Sequence, residues 1–182
     1  MKNMITRLAE NSDTPPSQTV IGCIETLSQG HEFLETLSHE DYVFIAHPHV
    51  CSSIGEHFRH WLDLFLAIKL EPSKIDYNVR RRGHVVERDL DVAKQEIRDL
   101  IEWLFALPSS DLNQAVVVET EVMLSQTHVE EVSSTLIREL TFVALHATHH
   151  FAMAKVVASL RGVDSESSFG VAPTTATYQR AQ

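Results

Sequence analysis

The sequence predicts an all-α four-helix bundle, with a short β-hairpin allowed before the last helix. Three observations lead there. Apolar residues recur at three- and four-residue steps in four separate segments. The last of these is apolar around most of its circumference, so the other three must wrap it. And a chain of 182 residues, 43% of them hydrophobic, is long enough to bury one sizeable core.

Residues 1–17 are polar and end at Pro15-Pro16, which marks a flexible leader ahead of the first helix. A single domain is expected over 18–178, with 179–182 as a fraying tail. The first helix runs from Val20 to about Leu37 on Val20, Ile24, Leu27 and Leu34, with His31 in the same seam. A lone histidine there reads as a neutral core residue with one hydrogen bond. After a loop holding Tyr42, His47, Pro48 and His49, Ser52 or Ser53 can cap a second helix that Glu71-Pro72 closes. Its stripe is Ile54, His57, Trp61, Leu64 and Ile68.

Residues 71–89 show no sustained periodicity and read as a long connection carrying Arg80-Arg81-Arg82. The third helix, about Asp91 to Leu107, uses Ile97, Leu100, Ile101 and Leu104 and stops at Pro108. From Gln114 to Val132 β-branched residues dominate, which suggests the hairpin. The final helix starts near Ser133 or Ser134 and reaches Leu160, with Gly162 as its stop.

Charge excludes some functions. With 15 Lys and Arg against 25 Asp and Glu, the net charge is −10, a poor match to nucleic acid or to an anionic membrane. No apolar run is long enough for a membrane span. The two cysteines, Cys23 and Cys51, are too few for a disulfide framework and read as reduced, buried thiols. A cytoplasmic setting is expected, without nucleic-acid or membrane partners.

Histidine is the anomaly, with eleven in the chain. On the last helix the series Glu139, Val143, His146, His150, Met153, Val157, Leu160 puts two imidazoles at consecutive seam positions. An HxxxH pair can reach one ion, and His57 from the second helix would complete a three-histidine set with a fourth position left open. A metal also relieves a deficit, since each buried imidazole has a donor and an acceptor to satisfy among Val, Met and Leu neighbours. His60 is the competitor on the second helix, and His149 is the i+3 alternative to His150. Glu56, Asp63 and Glu139 are the acidic candidates to receive a ligating ring's N–H. His47 and His49 form a loop pair, His84 and His128 read as solvated, and Cys51 reads as structural.

Other chemistries lack support. No GxSxG, Walker, GxGxxG, HExxH or CxxC pattern occurs, and the ExxH motifs of di-iron carboxylate bundles are missing from the seam. The arginine run could grip an anionic substrate, with a solvated loop as the default reading.

The segments SIGEHFRHWLDLF at 53–65, RRRG at 80–83, RELTFVALHATHHFAMA at 138–154 and FGVAP at 169–173 resemble the DinB/YfiT-like superfamily of small metal-binding four-helix bundles. The likeness extends from about residue 20 to 178. It implies a DinB-like bundle, a homodimer, and a divalent metal ion, zinc or nickel, on His57, His146 and His150. It also implies an enzyme that transfers a low-molecular-weight thiol to an electrophile, with a small-molecule thiol or electrophile as partner. A metal-dependent hydrolase is the alternative. A non-catalytic stress or sensor module is the rival from another class, and a closed shell without an adjoining pocket would favour it.

Overall fold

A computed structural model describes residues 16–182; the leader expected at the start of the chain falls outside them up to residue 15. Ser17 caps α1 (Gln18–Leu34) by accepting from the Val20 amide. A capping box between Ser38 and Asp41 starts the short α2 (His39–Val43). A second box, in which Ser53 and Glu56 each hold the other's backbone N–H, starts α3 (Ile54–Leu70). Asp89 caps α4 (Leu90–Ala106). The longest helix is α5 (Leu136–Leu160), and α6 (Pro173–Arg180) follows it with no buried residue.

The all-α four-helix bundle is corrected by the structure, which is a mixed α/β fold of six α-helices and a three-stranded sheet among the described residues. The strands are β1 (Lys74–Asp76), β2 (Ala115–Glu121) and β3 (Val129–Thr135), in the order β1-β2-β3. The β2–β3 hairpin is antiparallel, with Val118 opposite Val132. The third strand comes from the segment read as a connection: Ile75 pairs in parallel with Val118. Parallel neighbours need a crossover, usually a helix, and α4 supplies it. Ile75 is fully buried, which explains why so short a strand holds.

The core lies between α1, α3, α4 and α5. Phe58 and Trp61 of α3 pack with Phe151 of α5, their ring centroids 5.3 to 5.9 Å apart. Gly30 lets α1 approach that cluster, since a Cβ there would lie 2.9 Å from Phe151 Cζ. After α5 the chain folds back and inserts Phe169, which stacks on Phe33 at 4.0 Å and on Phe151 at 4.9 Å. No helix is long and apolar enough to cross a membrane among the described residues.

Candidate metal centre

Helices α3 and α5 form the most extensive helix–helix contact, and histidines from both meet along one flank of it. His60 Nε2 lies 3.1 Å from His146 Nε2, which lies 3.1 Å from His150 Nε2. All three atoms fall within 4.8 Å of one another. His57 occupies a different place. Its Nδ1 is 3.0 Å from His150 Nδ1, on the ring edge that faces away from the other three nitrogens. The structure therefore groups His60 with His146 and His150, and sets His57 behind His150.

Hydrogen bonding alone serves the cluster poorly. His146 Nε2 has one role to play toward two neighbours: bare, it offers one lone pair to two donors, and protonated, it serves only one acceptor. Extra protons are suppressed. Burial is the main cause that lowers His60 to about 4, with Arg80 and His146 adding repulsion. Burial likewise lowers His150 to about 3, with His60 and His146 next in effect. His146 and His57 are lowered too, again chiefly by burial. Three neutral rings offering lone pairs to one point suit a divalent cation. Tetrahedral zinc with bonds of ~2.0–2.1 Å sets ligand nitrogens about 3.3 Å apart, close to the two 3.1 Å separations that His146 makes here.

If the His150 Nε2 lone pair is given to a cation, the ring's proton sits on Nδ1 and is donated to His57 Nδ1. The proton of His57 is then on Nε2, which is buried with no hydrogen-bond partner among the described residues. His57 thereby fixes the tautomer of His150. The acidic residues expected in that role are otherwise engaged. Glu56 closes the capping box with Ser53. Asp63 takes the Arg81 backbone N–H at 3.0 Å and its Nε–H at 2.6 Å. Glu139, 1% exposed, accepts from Tyr77 Oη at 2.8 Å, Ser134 Oγ at 2.5 Å and Arg138 Nη1 at 2.8 Å.

The cluster opens on a cleft of about 440 Å³ lined by His57, His60 and His150 together with Glu56, Glu87 and Arg82. Its far wall is the loop after β1. Arg81 clamps α3 to α4 there, giving Glu96 two hydrogen bonds of 2.8 Å in addition to those it makes to Asp63. Such a bidentate pair holds a side chain in one geometry.

The remaining candidates disperse. His31 is buried and its Nε2 lies 3.0 Å from Arg98 Nη1. His47 and His49 are exposed, His84 caps the turn at 85–87, and exposed His128 pairs with Glu130. His149 is exposed on α5. Cys23 is buried, which pushes its thiol up to about 12. Cys51 is exposed, against the reading of a buried thiol, because it precedes the α3 cap in an open loop.

No family model matches the chain, and no solved structure matches it. One curated protein is similar: FK506-binding protein 5 of Rhizopus delemar, 28% identical over 108 residues, covering 59% of this chain and 28% of that protein. The chain thus spans little more than a quarter of that relative's length.

Proposed function

We propose that this chain is a divalent-metal enzyme centred on His60, His146 and His150, and that it conjugates a low-molecular-weight thiol to an electrophile. The observation that carries the reading is the convergence of three neutral imidazole nitrogens beside an open cleft. The likeness to DinB/YfiT-like proteins supports the same class. A zinc or nickel ion held there would lower the pKa of an incoming thiol, so that a thiolate exists near neutral pH.

The chain's own groups do the rest. Three uncharged ligands would leave the cation its full charge toward an anionic sulfur. His57 holds the His150 ring in one tautomer. The cleft admits both reactants and passes the thiol's proton to solvent. In the conjugation the sulfur bonds to the electrophilic carbon, and the leaving group departs with the electrons of the bond it gives up. An open cleft favours reactivity over a structural role, since structural zinc sites are closed. The two free cysteines support a reducing, cytoplasmic setting.

Tag-free protein analysed for metals, then assayed for thiol conjugation and for ester hydrolysis, tests the reading. His150→Ala should abolish turnover and keep the helical circular-dichroism signal, because most stability lies in the apolar core. Loss of the helix signal at ambient temperature would make the centre structural, and hydrolysis without conjugation would make the chain a hydrolase.

A further inference from the structure

Arg80, Arg81 and Arg82 are adjacent in sequence and do three different things. Arg80 turns back on its own loop and donates from Nη1 to the carbonyls of Tyr77 and Val79. Arg81 is consumed by Asp63 and Glu96. Arg82 lines the histidine cleft, exposed, and makes no ion pair or hydrogen bond with any described residue.

Its backbone is nevertheless fixed. The His84 amide donates to the Arg81 carbonyl at 2.9 Å, closing a four-residue turn in which Arg82 is the first corner. Gly83, at φ 77°, is the second, where a type II turn needs a positive φ. The turn is tied on both sides. Before the corner, the Arg81 N–H donates to Asp63; after it, the Gly83 N–H donates to Glu87 at 2.9 Å and the Gly83 carbonyl accepts from Arg88 at 3.0 Å. The other charges of the cleft are already matched. Glu87 holds Arg59 at 2.8 Å, and Glu56 serves the N-terminus of α3. Among the described residues the rim thus presents one uncommitted charge, a guanidinium on an anchored corner of the cleft that His57, His60 and His150 line.

We infer that Arg82 receives a carboxylate of the molecule that enters the histidine cleft, so that the substrate class is a thiol carrying an acid group. This rests on the metal reading above. A guanidinium fork matches a carboxylate in two parallel hydrogen bonds. A monoanion is favoured over a phosphate-rich ligand because, among the described residues, a single guanidinium is the one charge left uncommitted on the rim. Binding the acid group at the rim would leave the sulfur free to turn toward His60 and His150, orienting the nucleophile before the electrophile arrives.

The cobalt(II)-loaded full chain allows a binding test independent of turnover. It is titrated with 3-mercaptopropionate and with the methyl ester of that acid, following the sulfur-to-cobalt absorption band. The acid should bind about 10-fold more tightly than the ester in the wild type. In Arg82→Gln that preference should fall to near unity with ester affinity unchanged, and Arg82→Lys should restore part of it. Equal affinity for acid and ester in the wild type, or a preference that survives Arg82→Gln, would overturn the inference and leave the metal reading standing. Failure to take up cobalt, or a band absent with both probes, would overturn the metal reading and this inference with it.

Discussion

His57 and His150 meet through their Nδ1 atoms at 3.0 Å, on the opposite edge of the His150 ring from His146. A neutral ring can bind a cation through only one nitrogen while the other carries its proton, so on the proposed metal reading this contact would divide the four clustered histidines into three ligands and one supporting residue. Divalent-ion binding, followed by cobalt titration or calorimetry, should therefore be lost in His60→Ala. In His57→Ala it should weaken by only ~10–100-fold. A larger loss for His57→Ala than for His60→Ala would reverse the assignment.

The metal-free chain should lose stability on mild acidification. Unfolded, histidine takes up its proton near 6.5; folded, His60 and His150 resist until about 4 and about 3. Between those values the unfolded chain binds more protons, so stability declines as the pH falls. The melting temperature should be level above about pH 7 and drop progressively below it, with a shallower slope in His60→Gln/His150→Gln. A melting temperature that rises on acidification would contradict the burial of these rings.

Glu139 links β3, the end of β1 and α5 through Ser134 and Tyr77. Glu139→Leu should cost about 2–4 kcal/mol in urea unfolding, since it leaves the buried Tyr77 hydroxyl without its acceptor. Glu139→Gln should cost less. Combining Glu139→Leu with Tyr77→Phe should recover about 1 kcal/mol relative to the sum of the single changes; strict additivity would mean that the contact contributes nothing.

Gly55 sits where α3 meets the turn at 85–87. A Cβ there would lie 2.7 Å from the Glu87 carbonyl carbon and 2.9 Å from Tyr42 Cε1. Backbone on one side and a buried ring on the other leave little room to yield, so Gly55→Ala should destabilise by about 2 kcal/mol or more. Gly22→Ala, with nothing among the described residues within 4 Å of the added carbon, is the control and should be neutral or stabilising.

The long helices were legible because their caps and seams are local. Ser53, the seam of Ile97, Leu100, Ile101 and Leu104, and the apolar residues from 136 to 160 each declare themselves within a few residues. The third strand was not legible, because Ile75 is a strand residue only by virtue of Val118, its partner across α4. The same difference separates the two halves of the histidine cluster. The HxxxH pair at His146 and His150 follows from one helix's own periodicity. Choosing between His57 and His60 requires the angle at which α3 crosses α5. The stripe through Ile54, His57 and Trp61 points to His57, whereas the structure sets His60 beside His146, since α3 buries a broader face that includes Phe58, Leu62 and Phe65. Both histidines lie on its flank, and both enter the cluster by different nitrogens.

The turn at 81–84 also bears on how this protein can change over generations. Surface connections ordinarily absorb added or deleted residues with little penalty. Here the residue before the corner is fastened to Asp63 and Glu96, and the residue after it to Glu87 and Arg88. One extra residue between Arg81 and Gly83 would force one set of fastenings to let go. A loop by position, the segment is held to a fixed length like a strand inside a sheet, and insertional drift should be tolerated at the β2–β3 hairpin tip while being purged here.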